Sequence, residues 1–212
     1  MLRVVEQRFG LRQFDYLAEV HDSDAVGGPT RPAFPAHASA EQRANAYYGA
    51  NMQLPDGTPC QLEAGGNVLV RAATLAALGP APFDPAFAQS GSEDLAFFTA
   101  LARQGARMHW CTAAVVHESV PDDRLADGWM RQRVINIANS RVRVMQRFQT
   151  SPRDRAVRVV KTAGLGAVAT LLSLAGLASP TLAARARLLR WKFLGKARAH
   201  LGRATVRRES YP

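Results

Sequence analysis

A mixed α/β domain carrying a helical C-terminal tail is the fold class predicted by this sequence of 212 residues. Three observations carry the prediction. Short apolar runs alternate with helix-period segments between residues 25 and 149, the pattern of layered α/β structure. Gly and Pro punctuate those segments at nearly every junction. The charge is also divided: residues 1–150 hold 14 Lys/Arg against 15 Asp/Glu, whereas residues 151–212 hold 13 against 2. Residues 1–150 therefore form the near-neutral body, and residues 151–212 a basic, apolar helical tail.

The elements follow in order. Leu2, Val5, Phe9, Tyr16 and Val20 recur at a loose helical spacing that Gly10 interrupts. Residues 1–20 are broken by charges throughout and have no apolar run of signal-peptide type. Ala25 to Thr30 is a short buried strand that Pro32 should end. Residues 33–60 are rich in Pro, Ala, Gly and Asn, and a stretch that long with weak periodicity predicts a functional loop. Asn67–Val70 is a strand following Gly65-Gly66, and Ala72 to Leu78 a short helix closed by Gly79-Pro80. Ser92 has the chemistry of an N-cap for a helix over Glu93–Gln104, with Gly105 at C′. Arg107–Trp110 and Ala114–His117 are short strands. Pro121-Asp122-Asp123 starts a helix to about Gln149, with Trp129, Val134, Ile137 and Val144 as candidate core positions.

No charged residue occurs in the 23 positions from Thr162 to Ala184. Pro180 divides this run and leaves the 18 residues Thr162–Ser179, which as a helix are ~27 Å long, slightly less than the ~30 Å hydrocarbon core of a bilayer. Ser179-Pro180 is an N-cap and N1 pair for a second helix, Thr181 to about Leu201, mixing Leu188, Trp191 and Phe193 with Arg185, Arg187, Arg190, Lys192 and Lys196. A basic amphipathic helix with aromatic residues predicts membrane-surface association through residues 162–201. The competing reading is a helical hairpin packed on its own domain.

The isoelectric point near 10.7 suggests nucleic acid, but the near-neutral body argues against a nucleic-acid groove. Cys60 and Cys111 match no metal or redox spacing and read as free thiols.

The chemistry centres on Glu93-Asp94. Carboxylates in the first turn of a helix feel the positive end of the macrodipole, which favours the ionised form. An ionised carboxylate in a site dried by its substrates can accept the proton of a hydroxyl nucleophile. The same pair also suits any helix N-terminus, so its context matters. Gly65-Gly66-Asn67-Val68-Leu69-Val70-Arg71, Phe83-Asp84-Pro85, Gly91-Ser92-Glu93-Asp94 and Ala114-Val115-Val116-His117-Glu118 occur in this order. Together they resemble the C-terminal half of family 2 glycosyltransferases, over about residues 25–143. That resemblance implies a partial GT-A (nucleotide-diphospho-sugar transferase) fold and an inverting transfer from a nucleotide-sugar donor to a glycan or lipid-linked acceptor. It implies Asp94 as the base, with Glu93 beside it, and Gly65, Gly66 and Asn67 as a segment whose backbone passes the donor sugar. His117 matches a position where some such enzymes place a late metal or pyrophosphate ligand; a hydrogen-bonded structural histidine is the alternative. Arg131 and Arg133 resemble a diphosphate-binding basic pair, set against ordinary helix arginines. Tyr47, Tyr48 and Trp129 offer faces for sugar stacking, with packing the competing reading for Trp129.

The resemblance begins where the nucleotide-binding half of such enzymes ends. Asp22-Ser23-Asp24 spells a D-x-D but follows a helix-period stretch instead of an apolar strand, so it is a poor substitute for the metal-binding motif. In its complete form the enzyme would use Mg²⁺ or Mn²⁺ on the donor diphosphate, at the cytoplasmic face of the cell membrane. A misplaced start, a split gene and a half-domain kept as a membrane-associated interaction module are the three expected origins. Without partner strands, residues 25–30 and 67–71 are expected to carry unpaired edges.

Overall fold

The computed structural model describes residues 22–49, 52–88 and 91–205. The helix expected over Leu2 to Val20 lies outside the described residues. Elsewhere the chain runs β1 (Ala25–Gly27), β2 (Thr30–Ala33), α1 (Ala40–Arg43), β3 (Val68–Val70), α2 (Ala72–Ala77), α3 (Glu93–Arg103), β4 (Met108–Trp110), β5 (Val116–Ser119), α4 (Asp127–Phe148), α5 (Pro152–Ala175) and α6 (Pro180–His200). The class is mixed α/β, as the alternation of apolar periods predicts.

The expected unpaired edge at β1 is not found. β1 is the middle strand of the order β3-β1-β4, antiparallel to β3 and parallel to β4. Residues 57–60 then cover the far side of β4: Cys60 N–H donates to Met108 O and Trp110 N–H to Thr58 O. β3 does lie at an edge, where Leu69 is 54% exposed.

The strand expected over residues 25–30 is split by Gly28-Pro29 into two sheets, β2 pairing with β5 in parallel. Pro32 does not end the strand but sits inside β2. Pro29 O and Ala33 O accept from Val116 and Val120. The odd-numbered residues therefore face β5, and the missing N–H of Pro32 falls on the unpaired side, where a strand tolerates it.

α3 packs Phe97, Phe98 and Leu101 with Ala25, Leu62, Met108 and Trp110, joining helix to sheet. Burial of each such side chain is worth roughly 1.5–3 kcal/mol before entropy is counted. Two departures from expectation occur at helix starts. Ser92 occupies the N-cap position but has φ +73° and caps nothing with its side chain. The segment after Pro121 first makes a 3-10 turn, Asp122–Leu125, and α4 starts only at Asp127. Along α4, Val134 and Val144 are buried as expected, while Ile135 takes the core place assigned to Ile137.

The tail helix begins earlier than its uncharged run. Ser151 Oγ accepts from Asp154 N–H and Pro152 takes N1, so α5 starts ten residues before Thr162. Ser179-Pro180 starts α6 as expected. α6 then packs between α4 and α5: Gly195 lies against Ile135 O and Ala138, Gly166 against Phe193, and Gly176 against Ala183. The hairpin reading of the tail is thus the observed arrangement. α5 is nonetheless long and apolar enough to cross a membrane, by length and composition.

Candidate functional site

Two segments singled out in the sequence, 29 residues apart, meet at the start of α3. Gly65 N–H donates to Asp94 Oδ2 at 2.9 Å. A methyl group on Gly65 would stand 2.9 Å from Asp94 Oδ1, so the close approach uses the absent side chain. Gly66 has open space around it. The Gly65 N–H therefore orients the Asp94 carboxylate from one side.

The loop before α3 is strained into this geometry. Gly91 and Ser92 have φ +71° and +73°, and the second is a non-glycine residue in the left-handed region. Ser92 is held there by its hydroxyl, which donates to Ser140 Oγ at 2.7 Å. Ser140 passes its own proton to Asn136 O at 2.6 Å. α4 thus fixes the N-terminus of α3. Glu93 is half-buried, and its Oε2 is enclosed with no hydrogen-bond partner among the described residues.

Sequence reasoning missed the other ties around this carboxylate pair. Arg141 of α4 bridges to Glu63, and Gln61 Nε2 donates to Thr99 Oγ1 at 3.0 Å. Together they lay residues 61–65 across the first turns of α3. Glu63 and Arg141 are 78 residues apart, and no spacing rule joins them.

The remaining predicted residues are placed as follows. Asn67 donates through Nδ2 to Pro29 O (3.1 Å) and Ala114 O (2.5 Å), so its amide nitrogen ties three segments together. Its own carbonyl accepts from Gly28 N–H. Arg133 Nε donates to Tyr47 O at 2.9 Å, and its guanidinium lies over the Trp129 ring. Arg131, two positions earlier on the same helix, instead lines a groove of about 1090 Å³ with residues of α5 and α6, including Arg187 and Arg190. The two arginines expected to act as a pair are not brought together, because positions i and i+2 project from different sides of a helix. His117 is exposed on β5 beside Glu118, whose carboxylate pairs with Arg124 at 3.0 Å. Tyr48 is buried, stacks on Trp129 with centroids 5.7 Å apart, and donates its hydroxyl to Arg124 O. It serves packing and presents no open face for a sugar.

Asp22-Ser23-Asp24 is consumed structurally, as its setting suggested. Asp22 pairs with Arg107, and Asp24 accepts from Arg107 N–H and Thr74 Oγ1. The Arg107 N–H holds the Asp24 carboxyl below the usual range against the opposing effect of burial, helped by the Thr74 hydroxyl and the charges of Arg107 and Arg71. Among the described residues no three His, Cys, Asp or Glu side chains converge. Cys60 and Cys111 are free thiols, as expected, and burial pushes the Cys60 thiol up. In comparisons with known proteins, the chain matches no family model, no curated protein and no solved structure.

Proposed function

We propose that this chain is the acceptor-activating half of an inverting glycosyltransferase of family 2 type, working at the cytoplasmic face of the cell membrane. The observation that supports it best is the Gly65–Asp94 contact, which joins two of the four motifs carrying the resemblance at one carboxylate. Asp94 takes the proton of an acceptor hydroxyl. The resulting oxygen attacks the sugar carbon as the nucleoside diphosphate leaves, inverting that centre in one displacement. Glu93 stands beside Asp94 in the first turn of the same helix. The donor diphosphate and its divalent cation would be held by a nucleotide-binding half. The acceptor is a glycan or a lipid-linked sugar, presented where the apolar tail meets the bilayer.

A second reading, a membrane-associated module without catalysis, is favoured by the commitment of Asn67 and Arg133 to backbone carbonyls. Replacement Asp94→Asn separates the two. If Asp94 is the base, cells carrying the variant lose the glycan product by 10²- to 10⁴-fold, the usual worth of general-base help, while the purified variant keeps its circular dichroism. Unchanged product in those cells would reject the catalytic reading.

A further inference from the structure

We infer that α5 does not cross the bilayer but lies in its surface plane, docking the protein sideways on anionic lipid. This rests on the membrane reading above and decides its geometry.

The argument begins with what lies beside α5. Three contacts fix its register against α6: Gly176 with Ala183, Gly166 with Phe193, and the Thr162 hydroxyl with His200 Nε2 at 3.1 Å. As residue numbers rise along α5 they fall along α6, so the helices run antiparallel, side by side, over the whole uncharged stretch. Any depth reached by residues 162–176 is also reached by residues 183–200. That stretch of α6 carries Arg185, Arg187, Arg190, Lys192, Lys196 and Arg198. α6 is in turn fastened to α4 through Gly195 on Ile135 and through the buried Asn139, whose amide donates to Gly195 O and Arg203 O. A vertical α5 would pull six cations, and the helix that anchors Ser92, into hydrocarbon, where Arg and Lys are among the costliest residues to place.

The outward face of α5 suits the alternative. At 100° per residue, Val157, Val160, Val168 and Leu171 fall within about 80° of arc, and they are 43, 69, 48 and 65% exposed. Thr162 and Ala169, buried against α6, lie on the opposite side. Arg153 and Lys161 flank the start of this stripe. Arg131, Arg187 and Arg190 line the groove that borders it at Ala167. An apolar ridge edged by arginines complements an anionic headgroup layer over an acyl phase. A second copy of the chain would set the same cations against one another.

The test uses the full chain and vesicles of phosphatidylcholine, with and without about one-third phosphatidylglycerol. The protein should float with the anionic vesicles only and be released by alkaline carbonate. In a Cys60→Ala/Cys111→Ala background, spin labels at Val157→Cys, Val160→Cys, Leu171→Cys and Val168→Cys, all on the stripe, should report one common depth. A spanning helix would separate the first and third by about 20 Å along the bilayer normal, at 1.5 Å per residue. Flotation with such graded depths overturns the in-plane geometry alone. No flotation on either vesicle overturns the membrane reading with it, and a concentration-dependent dimer in that case assigns the stripe to a second copy. The exposed substitution Leu171→Asp should abolish flotation while leaving circular dichroism unchanged; retained flotation also counts against the proposal.

Discussion

The Asp94 end of the molecule and the tail hairpin are held by opposite means. In the α/β body, side chains reach across to backbone groups of other segments: Asp94 to Gly65, Asn67 to Pro29 and Ala114, Asp24 to Arg107. Around α6, glycines let helices close on one another: Gly195 meets the Ile135 backbone of α4 and Gly176 the Ala183 backbone, while Gly166 receives the Phe193 ring. A tether at a partly wet surface is worth about 1 kcal/mol net, since water replaces what is lost. A backbone-to-backbone contact has no slack, and added volume there is resisted by the packing of both helices. The difference means that the candidate site can be altered without unfolding the protein, whereas the hairpin cannot be altered so freely.

Gly195→Val should break the comparison most visibly. A Cβ at this position would stand 2.3 Å from Ile135 O, a backbone atom with nowhere to move. Loss of about 3 kcal/mol or more is expected, read as a lower urea midpoint and exposure of Trp191 fluorescence. A midpoint within error of the parent would mean that α6 does not dock on α4 as described. Asn67→Ala comes next. It removes both donors to Pro29 O and Ala114 O near the half-buried junction of the two sheets, and about 1–2 kcal/mol should be lost. A larger loss would place the Asn67 end in the same rigid class as the hairpin.

These two ties differ in how far they can be read from sequence. α3 was legible because its apolar period is local and ends in Gly105, which takes φ +86° at the helix terminus. The start of α6 was legible for the same reason, since Ser179-Pro180 acts within one turn. Ser92 was misread because a capping serine and a strained left-handed serine are spelled alike; Ser140, 48 residues on, determines which occurs. Pro32 was misread because its tolerance depends on which edge of β2 faces β5. Hydropathy alone does not separate a hairpin from a membrane face, and the contacts of Gly166, Gly176 and Gly195 become legible only when the partner helix is known. The resemblance implied Gly65 and Asp94 as parts of one site, but neither their direct contact nor that of Glu63 with Arg141 follows from any local spacing.

Asp94→Asn sharpens the contrast from the other side. The amide keeps an oxygen for the Gly65 N–H, and that bond is exposed, so stability should change by less than about 1 kcal/mol in urea titration. Any loss of cellular product then belongs to chemistry and not to folding. A loss of several kcal/mol would make Asp94 a structural residue and remove the reason for assigning it a proton.

The smallest effect separates the two regions by pH. Thr162 donates its hydroxyl proton to Arg158 O, so it accepts from the Nε2–H of His200, and acid adds the second proton at Nδ1. Burial pushes the His200 pKa below its ordinary value, and the charges of Arg158 on α5 and Lys196 on α6 push it in the same direction. The unfolded chain, with its histidine near 6.5, therefore takes up the proton more readily than the folded one. Above pH 6.5 both states are neutral and the group contributes nothing. As pH falls below 6.5 the folded state loses stability, until the folded pKa is passed and the loss becomes constant. Between pH 8 and pH 5 the urea midpoint should thus decline slightly, and His200→Gln, which keeps a donor for Thr162, should flatten that decline. Asp24, whose carboxyl is held below its ordinary range, titrates under this window. A decline of equal size in the His200→Gln protein would move the pH-sensitive contact out of the hairpin and into the body.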